Sequence, residues 1–381
     1  MKRLRFGIVG LGPRGRDLLR LTKLFDYVDF VAACDIKTSN WYEKTWENDL
    51  PLCEMYPGVE LFTDYDTMLC SANLDVVMVE TGADIHCEFC CKALEKDINV
   101  ISDIPLVANL EEAEKIWKAA EKSKATIIVG ANPNYSRYSQ KLYEFYKDGF
   151  LGKPYCMEAE YIHWSLPQSD ERKQLTANGN WRKLLIPIRY CTHSLGPLLR
   201  IIDEELRFVS CFGTGNHGHI PDDFKKDDMQ CAQFRTESGV VIRIMRNGRC
   251  RAKIGGHNLR VFGSEGYFER IDRFRKPVIR YNSMMIDDNE LHEVEGRFMP
   301  ADCYIPDEAI RPEFHDGMDY VMLDEFYNAL ANDLPAPISV KDGLLLTLPG
   351  IYAEYSAKQG GRVLKMKYPW DKDWSTEIEA F

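Results

Sequence analysis

"LRFGIVGLGPRG", residues 4–15, runs from an apolar segment into glycines spaced G-x-G-x-x-G. The apolar part reads as a strand buried on both faces, and helical spacing begins where it ends. Gly10 permits the tight turn between them, Gly12 lets a pyrophosphate approach the backbone, and Gly15 lets helix and strand pack closely. Pro13 and Arg14 complete the loop, and the helix N-terminus offers amides and a positive dipole to an anion. Asp35 closes the next apolar run, "DFVAAC" (29–34), at the spacing of about 20 residues expected of the ribose-binding acid. A carboxylate there holds ribose hydroxyls and repels a 2′-phosphate, so the pattern predicts a site for NAD over NADP, with Lys37 pulling the other way. A flavoprotein or a methyltransferase shares this fingerprint, so the remainder of the chain must decide.

Outward from this point, "LDVVMV" (74–79), "INVIS" (98–102) and "TIIVG" (126–130) read as further buried strands. Between the strands lie "RGRDLLRLTKLF", "DIHCEFCCKALEK" and "NLEEAEKIWKAAEKS", each with helical spacing. Asn109 is the expected N-cap of the last, with Glu112 at its third position. This alternation predicts a doubly wound parallel sheet over residues 1–130. From 131 onward the pattern changes to strand-like segments in succession, "DMQCAQFRT", "GVVIRIMR", "NLRVFG" and "GYFERI", followed by helices at 315–333 and 341–358. Residues 131–381 are therefore expected to form an α+β domain on an open, mostly antiparallel sheet.

The 381 residues are 45% hydrophobic and carry a formal net charge of −11. That apolar content supports two cores, and the sign of the charge argues against nucleic acid or an anionic membrane as partner. No run approaches the ~18 apolar residues of a spanning helix, and no basic-then-apolar leader is visible. A soluble cytoplasmic protein is the expectation. Of the 12 cysteines, the densest group, "HCEFCC" (86–91), lacks a second Cys/His pair at zinc spacing, so reduced packed thiols and no metal are expected.

In "RYCTHSLGPLLRIID" (189–203), Pro197 confines the helix start to the vicinity of His193. An imidazole there titrates near neutral pH and is a candidate acid/base, with Tyr190 beside it. The alternative is a core histidine with Thr192 as N-cap. In "YCMEAEYIHW" (155–164), alternation sends Met157, Ala159, Tyr161 and His163 to one face and Glu158 and Glu160 to the other. Arg182 is a candidate for a substrate oxygen, or pairs with an acid. "NHGHI", with His217 and His219, reads as a solvated loop, and Arg243, Arg246, Arg249 and Arg251 as a sheet face meeting another subunit or an anionic sugar pocket. A His163–His193–His315 metal site finds no support in the spacing.

Together, the fingerprint, "LDVVMVETGADIHCEFCCKALEKDINVISDIPLV" (74–107), "DGFLGKPY" (148–155) and "FHDGMDYVMLDEFYNALANDLPAPISVKDGLLLT" (314–347) resemble the Gfo/Idh/MocA family of nicotinamide-dependent sugar oxidoreductases. The resemblance implies a Rossmann domain, an open-sheet α/β domain, nicotinamide between them, and oligomer formation through the open sheet. Asp103-Ile104-Pro105 stands where that family has Glu-Lys-Pro, and isoleucine cannot polarise a reacting hydroxyl. Arg189 stands where an aspartate precedes the conserved histidine. "YCTHSLGP" (190–197), "NPNYSR" (132–137), "YIH" (161–163), "NWR" (180–182) and "HDGMD" (315–319) are similar instead to the family's NAD-dependent glycosidases, the α-N-acetylgalactosaminidase group. Ser194 replaces a glycine, and Ala131 a glutamate, of that group. The resemblance implies His193, Tyr190 and Tyr161 as catalytic groups, with Arg182, Trp181, His163, Asn134 and His315 on a carbohydrate. It further implies Thr81, His86, Asp103, Pro105 and Asn132 on NAD, beside the fingerprint residues and Asp35. A simple sugar or polyol dehydrogenase and a non-catalytic NAD-binding protein remain the alternatives.

Overall fold

The computed structural model describes residues 2–44, 49–162, 186–217, 227–247, 257–273, 276–286, 290–295 and 304–378. Of the expected site residues, His163, Trp181 and Arg182 lie outside these, as do His219, Arg249 and Arg251. The chain divides into two compact units, residues 1–135 with 303–344, and residues 136–302 with 345–381.

In the first unit, strands β1 (Leu4–Val9), β2 (Val28–Cys34), β3 (Glu60–Phe62), β4 (Val76–Val79), β5 (Asn99–Ser102) and β6 (Ile127–Val129) form one sheet in the order β3-β2-β1-β4-β5-β6. Every pairing is parallel. β1 and β4 are almost wholly buried, which is why they read as unbroken apolar runs rather than alternating ones. β3, three residues long, is too short to announce itself by periodicity. Asn109 caps its helix as expected: its Oδ1 accepts from Glu112 N (2.8 Å), and Glu112 Oε2 accepts in return from Ala108 N (2.7 Å).

The stretch 303–344, which the sequence pattern grouped with residues 131–381, clusters with the first unit instead. The reason is the helix Met318–Ala331, which buries Met322, Leu323, Phe326 and Tyr327. The Tyr327 ring meets Phe6 of β1 edge-on at 5.8 Å, and its hydroxyl lies 3.0 Å from Thr22 Oγ1.

In the second unit, β7 (Pro154–Ile162), β8 (Leu206–Gly213), β9 (Met229–Thr236), β10 (Val241–Asn247), β11 (His257–Gly263), β12 (Gly266–Arg273), β13 (Lys276–Ser283), β14 (His292–Glu295) and β15 (Leu364–Lys365) form a sheet in the order β14-β13-β12-β11-β7-β10-β9-β8-β15. Among the described residues, β7 and β10 pair in parallel and the other pairings in this sheet are antiparallel. Met157, Ala159, Ile242 and Ile244 share its buried face, as period-two alternation requires. The same alternation sends Arg243 and Arg246 to opposite faces. The arginine series is therefore not one surface: Arg243 meets Glu158 at 3.0 Å, while Arg246 is buried.

Candidate functional site

In the first unit, β1 ends at a turn that only glycine permits. Gly10 adopts φ +97°, and a Cβ on it would lie 2.4 Å from Glu80 O. A Cβ on Gly15 would lie 2.2 Å from Gly10 O, so this glycine lets the helix Pro13–Thr22 seat against the strand ends. Around Gly12 there is open space: nothing lies within 4 Å of where its Cβ would be. Pro13 occupies the first turn, and no side chain caps the helix, so its leading amides face that space. At the end of β2, Asp35 accepts from Leu11 N (2.7 Å), Lys37 N (2.7 Å) and Asn40 Nδ2 (3.1 Å), which fixes its carboxylate beside the loop. This cradle fits a dinucleotide, with room for a pyrophosphate at Gly12 and an oriented acid for ribose hydroxyls.

Around this loop the expected contacts divide. His86 is buried between the carbonyl oxygens of Pro105 (3.0 Å) and Thr81 (3.1 Å), so it braces two segments rather than presenting a nitrogen outward. Ile104 is 2% exposed, a core residue where the resembling family carries its lysine. Asn134 is buried in the turn Asn132–Tyr135.

Sequence reading gave no role to Asp319, which organises the remainder. Fully buried, it accepts two hydrogen bonds from Arg14, with Nη2 to Oδ1 at 3.0 Å. It accepts two more from Asn132 Nδ2 (2.9 Å) and His315 Nδ1 (2.8 Å). Burial raises the pKa of such a carboxyl, but Arg14 and His315 outweigh it and hold Asp319 far below the usual carboxylate range. Burial likewise opposes the Arg14 charge and Asp319 more than restores it, with Asp103 adding from 4.0 Å. Three successive left-handed residues, His315 (φ 50°), Asp316 (φ 55°) and Gly317 (φ 94°), turn the chain so that His315 lies over the first turn of the helix Met318–Ala331. Arg14, expected on the cofactor, thus spends its charge on Asp319.

In the second unit, Tyr161, Tyr190 and His193 come together. Ring centroids are 4.5 Å apart for Tyr190 and His193, 5.6 Å for Tyr161 and His193, and 6.5 Å for the two tyrosines. His193 is the second residue of the helix Thr192–Leu199, close to where Pro197 placed the helix start. Thr192 makes no capping bond, so it is not the cap of a buried core histidine. Two further groups join, His257, which sequence reading did not single out, and Arg246, which it named only within an arginine series. His257 stacks on Tyr161 at 3.9 Å, and the Arg246 guanidinium lies 4.1 Å from the Tyr161 ring centre. Inward alternation through Ile242, Ile244 and Arg246 was the available signal for the arginine. Arg189, in the family's aspartate position, turns to Glu354 and forms an ion pair.

Among the described residues, no group of three or more His, Cys, Asp or Glu is placed to hold a metal ion. No helix among them is long and apolar enough to cross a membrane. Cys87, Cys90 and Cys91 are buried and unbridged, and burial pushes the Cys90 thiol up to about 12.

Residues 4–131 match the oxidoreductase family with an NAD-binding Rossmann fold, GFO_IDH_MocA. A glycosyl hydrolase family 109 protein of Akkermansia muciniphila is 25% identical, over 99% of this chain and 85% of its own. An alpha-N-acetylgalactosaminidase of Shewanella oneidensis is 24% identical, over 93% and 83%. In fold, the chain is similar to a scyllo-inositol dehydrogenase of Lactobacillus casei solved with NAD(H) and scyllo-inositol, with a TM-score of 0.73 at 14% identity over 96% of this chain and 99% of that one. It is similar also to an Agrobacterium radiobacter oxidoreductase solved with NAD+, L-tartaric acid and magnesium, with a TM-score of 0.75 at 13% identity over 96% and 98%. Residues 4–131 thus form an NAD-binding Rossmann domain that matches the Gfo/Idh/MocA oxidoreductase model, and NAD is the cofactor.

Proposed function

We propose that the protein cleaves a glycoside without net redox change. The observation that carries this reading is the Tyr161–Tyr190–His193 group, in a chain whose lysine position holds the buried Ile104. Bound NAD supplies a transient two-electron oxidation of a sugar carbinol, reversed at the end of the cycle. The fingerprint amides, Asp35, Thr81, Asp103, Pro105 and Asn132 are the residues proposed to hold it.

The chain's own groups then move protons. A ketone at C3 makes the C2 proton acidic, and Tyr161, Tyr190 or His193 removes it as general base. The C–H electron pair becomes a C1–C2 double bond as the C1–O bond breaks, and the departing oxygen takes a proton from the conjugate acid. Water adds at C1, giving up a proton to the base group, which passes it to C2. Glycoside plus water gives sugar plus alcohol, with no pair of carboxylates of the ordinary glycosidase kind. His315 and Asn134 are proposed on the carbohydrate, as are His163, Trp181 and Arg182 from outside the described residues. The relatives named as glycosyl hydrolases support this substrate class.

The inositol dehydrogenase fold favours a second reading, plain oxidation of a sugar or polyol. A panel of nitrophenyl glycosides with trace NAD separates the two. Catalytic aglycone release without accumulating NADH is the expected result. NADH rising in step with substrate loss establishes the dehydrogenase instead.

A further inference from the structure

A single rung of the second sheet carries Gln230, Arg246, Tyr161 and His257 side by side on β9, β10, β7 and β11. The rungs before it on the same face carry Ile244 and Ala159, then Ile242 and Met157. The apolar core thus ends on this one polar row. Within it Arg246 is 6% exposed. Its Nη1 donates to the carbonyls of Tyr161 (3.0 Å) and Asn247, and its plane lies 4.1 Å from the Tyr161 ring centre and 5.5 Å from that of Tyr190. Its Nε has no hydrogen-bond partner, and no carboxylate among the described residues pairs with it.

A cation so placed is costly, because water has been stripped away and no anion among the described residues replaces it. Burial accordingly weakens the hold of Arg246 on its proton. Among the described residues, the ionisable groups around it are Tyr161 on β7, Tyr190 and Cys191 before the helix Thr192–Leu199, His193 on that helix, and His257 on β11. Burial pushes the Cys191 thiol up to about 12. Gln230 is neutral: its Oε1 accepts from Ile188 N, and its Nε2 donates to Asp227. Asp227 also accepts from Gly215 N, and Asp228 from His217 N. Glu158, Glu160 and Arg243 project from the opposite face by alternation. Among the described residues, a tyrosine phenolate is the negative charge placed to face this cation.

We propose that Arg246 is a positioning residue for proton transfer at Tyr161, clamping the ring against His257 and favouring its phenolate form. This rests on the reading of Tyr161 as a proton-transfer group given above. As phenolate the Tyr161 oxygen takes the C2 proton, the C–H pair forms the C1–C2 double bond as the C1–O bond breaks, and the resulting phenol protonates the departing oxygen.

The test places 3-fluorotyrosine at position 161 of the full chain with NAD bound and follows its 19F resonance against pH. The reference is the same label at Tyr42, which is 60% exposed. The label at 161 is expected to titrate below the reference, to move upward in Arg246→Gln, and to return toward the original value in Arg246→Lys. In the glycoside assay, Arg246→Gln lowers kcat more than it changes KM, and the acid limb of the profile moves up by about 1–3 pH units, the size expected when an opposite charge a few ångströms away is removed. A label at 161 that titrates no lower than the one at Tyr42 overturns the proposal, even if Arg246→Gln does not fold. Identical titrations in the parent and a folded Arg246→Gln overturn it too. The NMR readout needs no turnover, so absence of glycoside cleavage with the expected titration rejects the proposed function and leaves the Arg246–Tyr161 coupling standing.

Discussion

Asp319→Ala is the substitution whose cost the structure states most directly. The carboxylate is fully buried and accepts from Arg14 twice, from Asn132 and from His315. Removing it leaves the Arg14 guanidinium, itself only 18% exposed, without its hydrogen-bonded counter-charge and with Asp103 only at 4.0 Å. Breaking a buried pair in this way costs about 3–5 kcal/mol, most of it the penalty of the orphaned charge rather than the worth of the pair. With a urea m-value of about 3 kcal/mol/M, the unfolding midpoint should fall by about 1–1.7 M. Followed by circular dichroism, Arg14→Met should cost a similar amount. The double variant Arg14→Met/Asp319→Ala should lose less than the sum of the two, because both desolvated groups are then gone. The pH dependence has a definite sign. Asp319 is held below its unfolded value near 3.9, so its contribution is complete above that value and is lost progressively as pH falls from there through the lower folded value. The deficit of Asp319→Ala should thus be constant from about pH 5 upward and narrow only in strong acid. A midpoint shift below about 0.3 M, or strictly additive losses in the double variant, refutes the reasoning.

Gly10→Ala and Gly12→Ala should fail differently. The first strains a φ of +97° and drives a methyl to 2.4 Å from Glu80 O, so it lowers the melting temperature; the second meets no protein atom within 4 Å, so it melts normally while NAD affinity in a fluorescence titration falls at least about tenfold. Asp35→Ser removes the acid that orients on Leu11 N and Lys37 N; the ratio of NADP to NAD affinity should rise, and an unchanged ratio means this carboxylate does not read the ribose. Ile104→Lys restores the family's residue type at a position 2% exposed, so it should lower stability by several kcal/mol through burial of an unpaired ammonium, and a melting temperature equal to the parent's contradicts that burial.

The first unit was largely legible in the sequence because its signals are local. A strand buried on both faces is an apolar run, and Gly10, Gly12 and Gly15 are required by their own turn. Asn109 with Glu112 caps a helix from within four residues. The rows of the second sheet were legible only as alternation: it placed Met157, Ala159 and Tyr161 on one face but carried no register, so nothing aligned Arg246 of β10 or His257 of β11 with Tyr161. Asp319 was invisible for a related reason. Its partners Arg14 and Asn132 are 305 and 187 residues away in the chain, and an acid on an amphipathic helix reads as solvated until the fold buries it. The sequence alone determined the dinucleotide loop, the parallel sheet and the position of His193 at a helix start, because backbone conformation and short-range periodicity set them. Tertiary structure alone decided which charges are buried together. Desolvation and ion pairing depend on neighbours that strand register and the return of the helix Met318–Ala331 bring into place.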